Sequence, residues 1–180
     1  MRNMYFLLLT LMIWMSSISV MEAANVSNVV GVDRFVEEFN KCAKVDNNIY
    51  KIVSYKKGGV IDGGDYYDCY VDDGESPRGS LLIGAISSPD GYLDTLAVIV
   101  KRGANYPFRA AVFMASDMIR GTRDMGVDDI TTVVNAINQY TNSHKPVEKI
   151  WYSSNGRQYV VKCHVNEEEG AFVVYMFCLG

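Results

Sequence analysis

The sequence predicts an α+β fold: a single domain with an antiparallel sheet of about seven strands and three helices. Three segments carry apolar residues at helical spacing, whereas seven others are short runs rich in β-branched and aromatic residues between turns. Most predicted strands follow one another without an intervening helix, which is typical of antiparallel sheets. The predicted order is therefore α-β-β-β-β-α-α-β-β-β.

The three helices are predicted from apolar residues that recur every three to four positions. The first begins at Val32, and Phe35 and Phe39 fall on the same face of it. The second takes Pro107 in its first turn, a position where the missing N–H of proline costs nothing. The third covers residues 127–140 and carries its apolar face toward the core.

The seven strands are separated by turns rich in glycine, proline, asparagine and acidic residues. The predicted strands are residues 49–55, 66–71, 80–86, 92–101, 149–153, 158–165 and 171–178. The predicted turns are residues 56–59, 72–75, 88–91, 155–156 and 166–170. Each turn lies between two successive strands with no helix between them, so these strands pair antiparallel.

An internal repeat of one helix and three strands is a further interpretation. The Gly-Val-Asp of residues 31–33 recurs at residues 126–128, and the Cys-x-Val of residues 69–71 recurs at residues 163–165. The candidate units are residues 31–86 and 126–178. The matches are few, so chance resemblance between two ordinary modules remains the alternative.

The N-terminal residues 1–24 have the pattern of a signal peptide. Arg2 precedes an apolar stretch at residues 5–15, which is followed by serines and by Ala23 and Ala24. The apolar stretch is shorter than the roughly 20 residues that a membrane span needs. We therefore expect an exported protein, periplasmic or extracellular, with an uncleaved anchor as the alternative.

The remaining chain divides into a flexible leader at residues 25–30 and a single domain at residues 31–180. No later stretch is long and apolar enough to span a membrane, so no span is expected after cleavage. Asn25 begins an Asn-x-Ser tripeptide, which is a glycan acceptor only if the source is eukaryotic.

Four cysteines, an even number in an exported chain, are consistent with disulfide bonds. Cys42 ends the first predicted helix, and Cys69 lies late on a strand that returns toward that end. We therefore predict a Cys42–Cys69 disulfide, with free buried thiols as the alternative. A simple bridge between Cys163 and Cys178 is not expected, because these residues lie at unequal distances from the turn between their strands.

The chemical motifs that would identify an enzyme or a metal site are missing from the sequence. Cys163 and His164 look like a nucleophile and its base, but neighbouring strand residues point to opposite faces of a sheet. There is no phosphate-binding loop, nucleophile elbow or zinc-ligand spacing. We expect no cofactor and no metal. The net charge of −4 without a basic block argues against nucleic acid as a partner.

The strongest candidate for a binding surface is the cluster of tyrosines on the early strands. Tyr66, Asp68 and Tyr70 alternate along one strand and therefore share a face, opposite the face that carries Cys69. We expect some of these rings to be exposed, because aromatic rings beside charges are typical of recognition surfaces. Strand propensity and edge packing are the competing interpretation.

The sequence therefore favours an exported, non-enzymatic domain that acts by binding a protein partner of unknown identity. The first alternative is a carrier that holds a small apolar ligand between its helices and its sheet. A hydrolase with a site assembled from distant residues ranks third. The oligomeric state is not predicted.

Overall fold

Seven strands form one open antiparallel sheet in the computed structural model, which describes residues 31–179. The predicted signal peptide (1–24), leader (25–30) and Asn25 lie outside the described residues. The strands are β1 (Lys51–Ile61), β2 (Gly64–Asp72), β3 (Leu81–Ser87), β4 (Leu93–Lys101), β5 (Val147–Tyr152), β6 (Gln158–Asn166) and β7 (Ala171–Cys178). The helices within residues 31–179 are α1 (Val32–Val45), α2 (Pro107–Gly121) and α3 (Val127–Ser143). The predicted α+β fold and its element order are confirmed.

The order of strands in the sheet is β1-β2-β3-β4-β7-β6-β5. Every neighbouring pair is antiparallel, so β2, β4 and β6 run in the same direction. Strand β4 is central, and each of the two three-strand runs lies on one side of it. The arrangement places the candidate repeat units symmetrically, while the duplication itself remains a prediction.

The three helices pack on one face of the sheet. The Tyr55 hydroxyl of β1 donates a hydrogen bond to Asp33 of α1. The Phe172 ring of β7 contacts Phe108 of α2 at 5.3 Å and Tyr140 of α3 at 4.8 Å between ring centroids. The strand register directs Tyr55 and Phe172 to the same face. All three helices therefore cover this side.

The main core lies between these helices and the sheet. The helices contribute Phe35, Phe39 and Met114, which have no solvent-exposed surface. Gly121 of α2 lets α1 approach closely, since a Cβ there would lie 3.3 Å from the backbone nitrogen of Phe39. No helix in residues 31–179 is long and apolar enough to cross a membrane.

The turn predicted at residues 56–59 is wrong, because β1 runs through these residues to Ile61. The chain reverses at Asp62 and Gly63, whose φ angles are +48° and +82°. The pairing of β1 with β2 is irregular between Lys57 and Gly59, so the residues that suggested a turn lie in a β-bulge. The lysine-glycine composition therefore marks a bulge instead of a turn.

The buried carboxylate of Asp129 connects α3 to β5. It accepts hydrogen bonds from Trp151 Nε1 at 2.7 Å and from Ser153 Oγ at 2.8 Å. It also accepts a bond from the backbone N–H of Gly126 at 2.7 Å, which closes the first turn of the helix. One carboxylate thus fixes both the start of α3 and its position over the edge of the sheet.

Candidate functional site

The face of the sheet opposite the helices is the main candidate for a functional surface. We call it the helix-free face, since none of the helices in the described part of the chain covers it. Paired residues across the strands form three rows on this face. They are Tyr66–Ile86–Thr95–Phe177–Val160–Ile150, Asp68–Gly84–Ala97–Tyr175–Lys162–Glu148, and Tyr70–Leu82–Ile99–Val173–His164.

Large apolar side chains fill the centre of the helix-free face. Ile99, Val173 and Tyr175 are buried, although the described helices lie on the other side of the sheet. A strand that is buried on only one side alternates apolar and polar residues, whereas β3, β4 and β7 are apolar on both sides. The sheet is therefore built to be covered on both faces, and its described helices cover one.

The middle row carries opposite charges toward its two ends. Asp68 on β2 and Lys162 on β6 lie on either side of Gly84, Ala97 and Tyr175. The Lys162 ammonium pairs with Glu148 at 3.1 Å. Within residues 31–179, no lysine or arginine nitrogen lies within 4.0 Å of the Asp68 carboxylate.

The rim of the helix-free face at β5 exposes two large apolar side chains. Ile150 is 54% exposed and Tyr152 is 72% exposed. Both lie on β5, the edge strand next to β6 in the described sheet. Exposed apolar groups next to a polar rim are typical of a surface that contacts another protein.

The predicted site residues Tyr66, Asp68 and Tyr70 all lie on the helix-free face, but the expected exposure is wrong for Tyr66. Its ring packs so closely on β1 that a Cβ at Gly58 would lie 2.7 Å from ring atom Cδ1. The Tyr66 hydroxyl donates a hydrogen bond to Asp68, and both residues are buried. Burial, together with the Asp68 carboxylate, raises the pKa of Tyr66.

Tyr70 is half-buried and lines a surface groove of about 250 Å³ with Val53, Arg78 and Gly79. The groove lies at the β1 end of the helix-free face, since Tyr70 pairs with Ser54 across a bulge in β1. Tyr70 is thus the accessible member of the predicted tyrosine site.

The predicted Cys42–Cys69 disulfide is absent, and all four cysteines have free thiols. Cys42 lies half-buried near Asp117 and Arg120 of α2, whereas Cys69 is fully buried in the middle of β2. The helix also continues to Val45, beyond the end predicted at Cys42. Burial raises the pKa of the Cys69 thiol to about 12, so this thiol is a core group.

Cys163 and His164 lie on opposite faces of β6, as strand geometry predicts. Cys163 is fully buried beneath the helices and pairs with Val174, whereas His164 lies on the helix-free face beside Val173. Burial, and secondarily the Lys162 charge, lowers the pKa of His164. No group of three or more His, Cys, Asp or Glu side chains in residues 31–179 is placed to hold a metal ion.

Asp94 and Asp117 have carboxyl pKa values raised to about 6, and burial is the main cause in both. Asp94 lies at the start of β4, and Asp117 lies on α2. Asp117 accepts a 2.6 Å hydrogen bond from Asn48 at the junction between α1 and β1. This bond gives Asp117 a structural role in joining α1 to α2.

The space between the helices and the sheet is occupied by side chains. Phe35, Met114, Met118 and Leu96 are fully buried there. This is the region where the carrier hypothesis places an apolar ligand.

The β5 and β6 half of the helix-free face was missed by sequence reasoning. Lys162, Ile150 and Tyr152 belong to this surface, yet no short motif contains them. The sequence feature that could have indicated this surface is the long apolar run of β7. A strand that is apolar at successive positions is buried on both faces of its sheet. Comparison with known family models, curated proteins and solved structures found no match.

Proposed function

We propose that the protein is an exported, non-enzymatic binding domain that docks a protein partner on its helix-free face. The observation that carries this proposal is the apolar rim of that face at β5, where Ile150 is 54% exposed and Tyr152 is 72% exposed. Large apolar side chains in contact with water have an unfavourable hydration free energy, and a protein surface of matching shape removes them from water.

The exposed rim at β5 supports a protein partner over a small ligand. Ile150 and Tyr152 are exposed on an edge strand, so they present an open apolar surface. Small-molecule sites are concave and enclose most of the ligand. Tyrosines and apolar anchors surrounded by charged groups are instead typical of the centre of a protein interface.

The proposal is tested by changing the rim and measuring partner capture from the native compartment. Ile150→Asp and Tyr152→Asn place polar groups on the proposed interface at positions already exposed to solvent. We expect each variant to retain less than about a tenth of the captured partner, which corresponds to about 1.4 kcal/mol of binding free energy.

Matched variants on the helix side control for general changes in surface polarity. Val127→Asp and Tyr106→Asn alter residues that are 73% and 67% exposed, close to the exposure of the rim residues. These two variants should capture the partner as the unmodified protein does. Equal capture by all four variants would overturn the proposal.

A further inference from the structure

We propose that β5 pairs edge to edge with β5 of a second copy of this chain, in an antiparallel register centred on Ile150. The pairing joins two seven-stranded sheets into one continuous sheet. This inference rests on the proposed function, because it names the partner of the exposed β5 rim. Dimers with two-fold symmetry place one patch against itself, so this edge has to complement itself.

The backbone of β5 presents hydrogen-bonding groups at the edge of the sheet. The Ser153 N–H donates to the Arg157 carbonyl at 2.9 Å, so the backbone of Ser153 is directed toward β6. Successive residues of a strand direct their N–H and C=O groups alternately to the two sides. Every second residue before Ser153 therefore bonds with β6, whereas Glu148, Ile150 and Tyr152 direct their backbone groups outward. Within residues 31–179, no strand pairs with this edge.

The two edges of the sheet differ in their suitability for pairing. The β1 edge carries Lys56 and Lys57 and has two irregularities in its register with β2. Lysines and bulges are features that prevent the pairing of edge strands. Strand β5 instead pairs with β6 in an unbroken register and exposes Ile150 and Tyr152. A regular edge with exposed apolar side chains is therefore present only at β5 in the described sheet.

A register centred on Ile150 pairs every outward group of β5. A two-fold axis perpendicular to the sheet makes the two strands antiparallel and keeps the helices of both copies on the same side. Ile150 then lies opposite Ile150 of the other copy, and Glu148 lies opposite Tyr152. Each of these pairs exchanges two backbone hydrogen bonds, because their N–H and C=O groups face each other.

The neighbouring registers are less favourable. An axis at Lys149 places the two Lys149 ammonium groups opposite each other and brings Tyr152 opposite Pro146, which has no N–H to donate. An axis at Trp151 brings Glu148 opposite residue 154, beyond the end of β5 at Tyr152. The register centred on Ile150 avoids both losses.

The side chains agree with this register on both sides of the sheet. On the helix-free face, the two Ile150 side chains meet at the axis as an apolar pair. On the helix side, Lys149 lies opposite Trp151, an arrangement that favours a cation–π contact. This side of the edge is open, because Lys149 is exposed and Trp151 is only partly buried. No directly opposite pair brings like charges together.

The length of the edge predicts a reversible dimer. Strand β5 has six residues and is therefore about 20 Å long. Pairing over this length buries less than the roughly 1,200 Å² of a standard stable interface. We therefore expect the population of the dimer to rise with protein concentration.

Hydrogen exchange of the full chain, measured by NMR over a range of concentrations, is the first test. The N–H groups of Ile150 and Tyr152 should exchange at least about tenfold more slowly at about 1 mM than at about 10 μM. The N–H groups of Lys149 and Trp151, which bond with β6, are internal controls and should not respond to concentration. Sedimentation velocity should show twice the mass of one chain at the higher concentration. A monomer throughout, or exchange at Ile150 that is independent of concentration, would overturn the inference.

Charged variants at the axis test the register. Ile150→Lys and Ile150→Glu alone each place two like charges opposite each other, and we expect each to raise the dimer dissociation constant at least about tenfold. Both should fold, because position 150 is exposed. An equal mixture of the two should form a mixed dimer to within about threefold of the unmodified affinity, because opposite charges then meet. A mixture that dissociates as readily as either variant alone contradicts the register centred on Ile150.

The outcomes separate this inference from the proposed function. A monomer that still loses a captured partner when Ile150 or Tyr152 is changed overturns the dimer and leaves the rim as a binding surface for another protein. A monomer whose capture is unaffected by those changes overturns both.

Discussion

Asp68 and Lys162 lie in one row of the sheet, separated by β3, β4 and β7, on the face that none of the described helices covers. Asp68 and Lys162 lie two strands from β4 on opposite sides of it, so an acid and a base flank the centre of this face. The apolar residues between them, Ala97 and Tyr175, are buried, whereas Ile150 and Tyr152 at the β5 rim of the same face are exposed. The proposed binding surface therefore lies at the exposed edge of a buried row.

The buried hydrogen bond between Tyr66 and Asp68 should contribute to folding. Tyr66→Phe removes the donor and leaves a buried carboxylate oxygen without it, which should lower the free energy of unfolding by about 1–3 kcal/mol. Tyr70→Phe, on the same face but half-buried, should change it by less than about 0.5 kcal/mol. Urea unfolding at equal protein concentration measures both variants. Equal stability of the two would show that the Tyr66 hydroxyl has no such role.

Asp129 should be a major determinant of how α3 is attached to the sheet. Asp129→Ala removes the acceptor of three hydrogen bonds and leaves Trp151 and Ser153 with unpaired donors. We expect a loss of about 3 kcal/mol or more in the free energy of unfolding.

Asp128→Ala is the matched control for this change, because Asp128 lies in the same helical turn and is exposed. Its loss should be about 0.3–1 kcal/mol, the usual value for an acidic residue near a helix N-terminus. Similar losses for both variants would contradict the role assigned to Asp129.

The four cysteines should react as free thiols with different accessibility. Alkylation of the folded protein without reductant should modify Cys42 first, because it is half-buried, whereas Cys69, Cys163 and Cys178 are buried. Unfolding in denaturant without reductant should then expose all four to alkylation. Mass spectrometry counts the modified thiols, and any cysteine that reacts only after reduction contradicts the free-thiol structure.

Stability should depend on the protonation of Asp117. Its pKa of about 6 in the folded protein lies above the ordinary value of 3.8. Between these two pH values the folded protein therefore holds a proton that the unfolded chain has lost. The contribution of Asp117 to the free energy of unfolding is full below pH 3.8 and is lost as the pH rises through about 6.

Asp117→Asn isolates this contribution. Relative to the unmodified protein, the variant should gain stability as the pH rises from about 4 to about 6, on the order of 1 kcal/mol at pH 7. The Asn48 hydrogen bond lowers the pKa of Asp117, so Asn48→Ala should extend the pH-dependent range upward. Thermal unfolding across this range provides the comparison. A stability difference for Asp117→Asn that is constant with pH would argue against the assignment.

The fold was predictable from local patterns because each element carries its own signal. The apolar spacing of α1 and the turn residues between β3 and β4 are sufficient to place these elements, and Gly91 N–H donates to the Ser88 carbonyl in the predicted turn. The end of β1 was not predictable in this way. A glycine pair has the same composition in a turn and in a bulge, and only pairing with β2 distinguishes them.

The candidate site was predicted only in part, for a related reason. The alternation of Tyr66, Asp68 and Tyr70 places them on one face. It does not reveal whether residues on the neighbouring strands are small enough for a tyrosine ring to lie against the backbone. Gly58 on β1 and Gly84 on β3 make that packing possible for Tyr66. Likewise, the row that joins Asp68 to Lys162 depends on the order of five strands, which no local pattern specifies.

The most direct test of the central claim is a photo-crosslink from the helix-free face. A photoreactive amino acid at position 152, in place of Tyr152, is compared with the same group in place of Tyr106 on the helix side, which has similar exposure. The full chain is irradiated in its native compartment, and the adducts are identified by mass spectrometry. We predict a defined protein adduct from position 152 and none from position 106. Adducts from position 106 alone, or from neither position, would contradict a protein-binding role for the helix-free face.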